Sequence, residues 1–206
     1  MQINPKQLDF LTEMINIGIG KGAKVLNTMV RSHIQLRVPS VRILTSSELI
    51  KELDFHCDEK LSAVNLEFDG NISGYAELIF PSDSASTLVT IFTGEYDENP
   101  PMDETRAGAL CEIGNVVLNA VMGSISNILK LSFNYTVPHY IEGLVDTLFP
   151  HKNVQAIPAI LLARTRFNIQ EMEIEGDIVL LFKMGSFDIL LNAIEKESPL
   201  FENEIQ

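Results

Sequence analysis

The sequence predicts an α+β fold in which two similar halves each contribute one long helix, strands of an antiparallel sheet and one short helix. Three observations lead to this prediction: an internal repeat, two long apolar patterns of helical period, and short apolar segments separated by turn residues. Of the 206 residues, 46% are hydrophobic and 21% charged, enough apolar material for a sizeable core. We therefore expect one domain over residues 1–206, made of two repeats at about 1–98 and 99–206.

The repeat is visible in two stretches that recur at nearly the same offset. Residues 11–39 lie over 110–138 at an offset of 99 residues, and this match pairs Glu13 with Glu112, Asn16 with Asn115, and Pro39 with Pro138. Residues 74–80 lie over 176–182 at an offset of 102 residues, in the same order along each half. The breaker sequence Asn99–Pro101 lies between the halves and is typical of a link.

Two long helices are predicted from apolar residues that recur every three or four positions. The first stripe follows Pro5, a residue that suits the first turn of a helix, and consists of Leu8, Leu11, Ile15, Ile19, Gly22, Leu26, Met29 and Val30. The second stripe consists of Ala107, Leu110, Cys111, Gly114, Leu118, Val121, Ile125 and Leu129. Gly18, Gly20 and Gly22 fall inside the first helical pattern, which favours close helix packing over a phosphate-binding loop.

The remaining elements are short and bounded by turn residues. Four segments are predicted to be strands: Leu61–Phe68, Gly74–Phe80, Pro158–Thr165 and Asp177–Lys183. The turn residues Asp69–Asn71 join the first two as a hairpin, which favours antiparallel pairing. Ala85–Phe92 and Phe187–Ile194 are predicted short helices, Gly94 is predicted to cap the first of them, and the acidic tail from Glu195 is predicted to be a frayed end.

Each long helix also has a polar stripe on the face away from its apolar residues. The first stripe is Asp9, Glu13, Asn16 and Gly20, and the matching second stripe is Gly108, Glu112, Asn115 and Asn119. Taken alone, either Glu–Asn pair would be an ordinary solvated patch. Asn has poor helix propensity, however, and the pair recurs in both halves with the same gap to a proline. The recurrence favours a functional role for both pairs.

The spacing of these residues resembles that of a known family. The motif reads Asp9-x3-Glu13-x2-Asn16-x22-Pro39 in the first half; in the second it keeps Glu112, Asn115 and Pro138 but has Gly108 at the first position. This is similar to Asp/Ser-x3-Glu-x2-Asn-x22-Pro of the CheC phosphatases of chemotaxis, which are related to CheX and to the flagellar-switch protein FliY. Two copies in one chain are typical of CheC. The resemblance implies a pseudo-twofold, duplicated CheC-like fold.

The resemblance also implies an activity. The family hydrolyses the aspartyl phosphate of a CheY-like receiver domain, beside the Mg²⁺ and Lys of that receiver. Asn16 and Asn115 would then orient the attacking water, while Glu13 and Glu112 would contact the receiver Lys. The supporting residues would be Asp9, Pro39 and Pro138. No metal or cofactor of its own is implied for this chain, because the Mg²⁺ comes with the receiver. Gly108 makes the second motif the less complete one.

The composition and charge of the chain argue against several classes of partner and location. A formal net charge of −13 disfavours nucleic acid, whose phosphates need clustered Lys and Arg. Neither a secretory signal nor an apolar run of membrane-span length is expected, so we predict a cytoplasmic protein. The four His and two Cys have no metal-ligand or disulfide spacing. The two halves could pair with each other as a pseudo-dimer within one chain, which favours a monomer or a weak dimer.

Two other functions remain open. The chain could be a catalytically silent CheC-like adaptor that binds a receiver or a CheD-like deamidase and regulates by occupancy. It could also be a component of the flagellar switch, which we rank last because the further C-terminal domain of FliY is missing from this sequence. Neither the receiver concerned nor its output, flagellar or other, is specified by the sequence.

Overall fold

A seven-stranded antiparallel sheet organises the fold, and both long helices pack on the same face of it. The computed structural model describes residues 3–30, 34–53, 60–94, 100–148, 159–169 and 172–204. The helices are α1 (Pro5–Val30), α2 (Ser46–Leu53), α3 (Ser82–Thr93), α4 (Glu104–Leu129), α5 (Val145–Leu148) and α6 (Ser186–Glu204). The strands are β1 (Ile34–Leu44), β2 (Leu61–Gly70), β3 (Gly74–Pro81), β4 (Phe133–Tyr135), β5 (His139–Gly143), β6 (Ala159–Ile169) and β7 (Met172–Phe182).

The strand order is β1-β6-β7-β3-β2, and both β4 and β5 pair with the far side of β2. Helices α1, α3, α4 and α6 cover one face, where they form the larger hydrophobic core. On the other face a smaller core joins α2 and α5 to the sheet. The α+β class and the antiparallel sheet predicted from the sequence are confirmed.

The predicted strands are present, with different limits and with additions. β2, β3, β6 and β7 contain the four predicted segments, although Lys183 lies beyond β7 and Pro158 lies outside the described residues. The hairpin between β2 and β3 is confirmed, with Phe68 opposite Gly74. Strands β1, β4 and β5 were not among the predicted segments. β1 contains Pro39, and proline argues against a strand unless the strand lies at a sheet edge, as β1 does.

The helices at the end of each half differ more from the prediction. Gly94 caps α3 in the left-handed conformation as predicted, with φ 72°. The prediction of a frayed tail from Glu195 is wrong, because α6 continues through Pro199 to Glu204. Glu197 is buried and pairs with Lys130 at 2.6 Å, so this acidic segment is held against the end of α4. The short helices α2 and α5 were also missed.

Glycines allow α1 and α4 to pack closely. A Cβ built on Gly18 would lie 2.5 Å from Cα of Val121, and one on Gly22 would lie 3.4 Å from Cβ of Ala120. Residue 18 thus meets residue 121 while residue 22 meets residues 117 and 120, so the helices run antiparallel. The prediction that the glycines serve close helix packing is confirmed for Gly18 and Gly22. Gly20 has open space around it.

Some residues that the sequence offsets match lie opposite each other in the structure. β3 and β7, which match at an offset of 102 residues, pair antiparallel at the centre of the sheet. Glu77 and Val179, matched by that offset, lie directly opposite each other. In the helix pair, an offset of 99 residues relates 18 to 117 and 22 to 121, so the contact of Gly18 with Val121 corresponds to that of Gly22 with Val117.

One described helix, α4, is by length and composition apolar enough to cross a membrane. This departs from the expectation that the sequence contains no such run. Half of its most apolar window is buried inside the protein, against α1 and β2. Because glycine has no side chain, α4 lies directly on Val64 of β2 at Gly114. Helix α4 is therefore a half-buried helix of the core.

The start of α1 is fixed by a reciprocal cap. The amide of Gln7 donates to Oδ1 of Asn4, and the amide of Asn4 donates to Oε1 of Gln7, both at 2.9 Å. We expect Asn4→Ala to lower the free energy of unfolding by about 1 kcal/mol, because an amide of the first turn loses its acceptor. Urea unfolding measures this change. Asn4→Asp, which keeps the acceptor, should be close to neutral; equal losses in both variants would contradict the cap.

Candidate functional site

The first motif lies on the exposed face of α1. Asp9, Glu13 and Asn16 are all exposed, whereas Leu11, Ile15 and Ile19 on the opposite face are at most 1% exposed. The spacing of three residues places Glu13 and Asn16 side by side on one helical face. Burial of the apolar face therefore holds both polar side chains on a rigid element that points them to solvent.

Asn16 borders a groove of about 530 Å³ between α1 and the sheet edge. Four consecutive residues of β1, from Leu36 to Pro39, line it together with Arg166, Asn168 and Glu173. The pairing of β1 with β6 shifts register between Arg37 and Ser40, which is where Pro39 occurs. A proline at an edge-strand irregularity gives up no ladder hydrogen bond. The structure thus brings Asn16 and Pro39 to one groove, 23 positions apart in the chain.

Two arginines line this groove together with the carboxylate of Glu173. Arg37 and Arg166 lie opposite each other on β1 and β6. Arg166 pairs with Glu175 at 3.1 Å and with Glu173 at 3.5 Å, while Arg37 donates to Gln35 at 3.3 Å. Sequence reasoning missed both arginines. Their only signal is the alternation of strand residues, which becomes useful once the β1–β6 register is known.

The second motif on α4 differs in exposure. Glu112 and Gly108 are exposed, as the stripe predicts, but Asn115 and Asn119 are only half-exposed. Nδ2 of Asn119 donates to Oδ1 of Asn115 at 2.6 Å. Asn115 is therefore less exposed than its counterpart Asn16. Its amide is tied to the next turn of its own helix.

Pro138 lies in the connection between β4 and β5, and α4 contacts β5. Near it, Tyr140 shares a hydrogen bond with Ser62 at 3.1 Å. Burial first, and the Glu112 carboxylate second, raise the pKa of the half-buried Cys111 thiol. Cys111 is therefore a packed thiol of low reactivity, beside the motif but not chemically part of it. Cys57 and three of the four histidines lie outside the described residues.

The two motifs lie on opposite sides of the helix contact. Asn16 precedes Gly18 in α1, and Asn115 precedes Val117 in the antiparallel α4. α1 contacts the edge strand β1, whereas α4 contacts β5 near the other end of the sheet. The structure therefore brings Asn16 and Pro39 of the first motif to one groove and keeps the two motifs apart.

The chain combines an antiparallel sheet with two antiparallel helices that each bear Glu-x-x-Asn. In sequence and fold it is similar to members of the CheC/FliY/CheX superfamily. No protein-family model matches it. It is 27% identical to the CheY-P phosphatase CheC of Bacillus subtilis (strain 168) over 141 residues, which cover 66% of each chain.

Two FliY proteins are also similar over nearly the whole chain. The flagellar motor switch phosphatase FliY of Bacillus subtilis (strain 168) is 22% identical over 99% of this chain. The match spans 53% of FliY and 66% of CheC, so the chain covers about half to two thirds of these relatives. The crystal structure of Thermotoga maritima FliY has the same fold, with a TM-score of 0.78, 18% identity, and coverage of 96% of this chain and 100% of that one.

Proposed function

We propose that this protein is a phosphatase that hydrolyses the aspartyl phosphate of a CheY-like receiver domain. The observation that carries the proposal is the exposed Glu13–Asn16 pair on a helix whose other face is buried. Its repetition as Glu112 and Asn115, and the similarity to a CheY-P phosphatase, support the same activity. Asp9, Pro39 and Pro138 are proposed as supporting residues.

The proposed reaction is in-line attack of water on phosphorus. A bond from the water oxygen to phosphorus forms while the bond to the receiver carboxylate breaks, which gives inorganic phosphate and a free Asp; the water protons pass to phosphate and solvent. Such a reaction depends on positioning and charge more than on covalent catalysis. A carboxamide oxygen accepts a hydrogen bond from water without titrating, so Asn16 and Asn115 would fix the direction of attack.

Glu13 and Glu112 would hold the receiver. Both carboxylates are exposed and lie one helical turn before their Asn partners, so each could pair with the receiver Lys beside the phosphate. The Mg²⁺ in this proposal belongs to the receiver, and this chain supplies no cofactor. Among the described residues, no group of three or more His, Cys, Asp or Glu side chains has the arrangement of a metal site.

We also infer that the chain is a duplicated, pseudo-twofold domain with repeats at about 1–98 and 99–206. Two observations support this inference. The strand order reads the same from both ends when β1, β2 and β3 are exchanged for β4/β5, β6 and β7. The matched residues Glu77 and Val179 also face each other. The cytoplasmic location and the monomeric or weakly dimeric state remain part of this proposal.

Catalytic turnover is the direct test. A receiver phosphorylated with a small-molecule phosphodonor is mixed with the protein at a hundredth of its concentration, and loss of phosphate is timed. We expect all of the receiver to be dephosphorylated faster than it decays alone, because each site releases its product. Loss of phosphate only at equimolar protein would contradict catalysis and favour the adaptor function. A panel of receivers from the same organism would identify the substrate.

A switch-associated role is the second candidate. The similarity to FliY extends over 99% of the chain, against 66% for CheC. A phosphatase that acts at a flagellar motor would account for the similarity to both CheC and FliY. Co-purification with motor switch proteins distinguishes it from a phosphatase free in solution, and binding to a CheD-like deamidase would support the adaptor alternative.

A further inference from the structure

The second motif has a side chain that the first motif lacks. We propose that Asn119 is a positioning residue that holds the Asn115 carboxamide, so that the second site turns over faster than the first. This inference rests on the proposed phosphatase function. It assigns to Asn119 a role outside the Glu-x-x-Asn pattern, and it predicts which of the two sites dominates.

The hydrogen bond itself is well placed for this role. Asn115 and Asn119 are four residues apart on α4, and Nδ2 of Asn119 lies 2.6 Å from Oδ1 of Asn115. Residues at this spacing share one helical face. The bond selects one rotamer of Asn115 and one orientation of its amide group. An amide oxygen has two lone pairs, so Oδ1 of Asn115 can still accept a hydrogen bond from water.

Asn119 is costly for the fold, which points to a role other than stability. Its Oδ1 is buried and has no hydrogen-bond partner among the described residues. An unsatisfied buried acceptor destabilises a protein, and Asn is a poor helix former. An alanine at this position would avoid both costs. Retaining Asn119 is explained if its amide group serves the neighbouring Asn115.

The first motif lacks this support. The residue that corresponds to Asn119 is Gly20, which has no side chain that could reach Asn16. Asn16 is exposed and Asn115 is half-exposed. A fixed carboxamide spends more of its time in the geometry that directs water to phosphorus, and misplacement by about 1 Å can cost a large factor in rate. The second site is therefore the pre-oriented one, although its motif begins with Gly108.

Single-site backgrounds separate the two sites. In Asn16→Ala protein only the second site is intact, and in Asn115→Ala protein only the first. We expect the second site to be the faster. Adding Asn119→Ala to the Asn16→Ala background should lower kcat for the phosphorylated receiver by about fivefold, the order expected for one lost hydrogen bond. KM for the receiver should stay unchanged, because Asn119 acts through Asn115. An unchanged or higher kcat would overturn the proposal.

The reciprocal change tests the same idea by gain of function. Gly20→Asn in the Asn115→Ala background places a donor one turn after Asn16, where a Cβ meets no atom within 4 Å. We expect kcat of the first site to rise, whereas the control Gly20→Ala leaves it unchanged. Equal rates for Gly20→Asn and Gly20→Ala would count against the positioning role.

The melting temperature distinguishes a positioning role of Asn119 from a merely structural one. Asn119→Ala should leave the melting temperature unchanged or raised, because a buried unsatisfied oxygen is removed and helix propensity improves. A lower melting temperature together with lower kcat would assign Asn119 to the fold instead. Failure of the proposed function is distinguishable, because then neither single-site background would accelerate receiver dephosphorylation at all.

Discussion

Replacing Asn16 and Asn115 together with alanine should abolish the accelerated dephosphorylation of the receiver and leave the fold intact. Each single change removes the residue that directs water at its own site, at a cost of about 1–3 kcal/mol in barrier, roughly tenfold to a hundredfold in rate. The other site remains active in each single variant, so total turnover should persist. Only the double variant loses both sites.

Phosphate release from the receiver measures the rate, and circular dichroism with thermal unfolding monitors the fold. Asn16 is exposed, Asn115 is half-exposed, and alanine is the better helix former, so stability should not fall. Asn192→Ala on the exposed face of α6 is a matched control and should leave the rate unchanged. Undiminished turnover in the folded double variant would rule out the proposed mechanism.

A second large effect is expected at the contact between α1 and α4. In Gly18→Ala the new methyl group would lie 2.5 Å from Cα of Val121 and 2.8 Å from the carbonyl oxygen of Ala120. Both are backbone atoms, so the helices must separate. We expect the free energy of unfolding to fall by about 3 kcal/mol, the upper part of the usual range for overpacking. Because both motifs are carried by these two helices, turnover should fall as well.

Gly20→Ala is the matched control for this change. It adds the same methyl group two residues away, where nothing lies within 4 Å, and it should be neutral or stabilising by up to about 1 kcal/mol through helix propensity. Chemical denaturation of both variants measures the difference. Equal stability of Gly18→Ala and Gly20→Ala would show that the close approach of the helices has little energetic weight.

The sequence predicts the elements whose patterns are local. The apolar stripes of α1 and α4 are long enough for their period to be unambiguous, and the turn at Asp69–Asn71 defines the hairpin of β2 and β3. It does not predict β1, because Pro39 and the register shift beside it contradict a strand until the sheet edge is known. The helical segment that was predicted to fray from Glu195 contains Glu197, whose partner Lys130 lies 67 residues earlier in the chain.

The candidate site likewise has features that the sequence predicts and features that it does not. Helical spacing alone places Asp9, Glu13 and Asn16 on one exposed face, and the structure agrees. The groove beside Asn16 requires the β1–β6 register to bring Arg166 to it. The bond between Asn115 and Asn119 depends on side-chain rotamers, which the spacing of four residues permits but does not determine. The catalytic roles of both pairs stay predictions until turnover is measured.

The antiparallel crossing of α1 and α4 has a consequence for valency. Since the two motifs lie on opposite sides of the helix contact, one bound receiver does not cover both, and the protein is bivalent toward its proposed substrate. Receivers free in solution would gain nothing from bivalency. Receivers clustered on a large assembly would, because release from one site leaves the protein tethered at the other, at a local concentration on the order of millimolar. The same chain would then remain longer where phosphorylated receivers are concentrated.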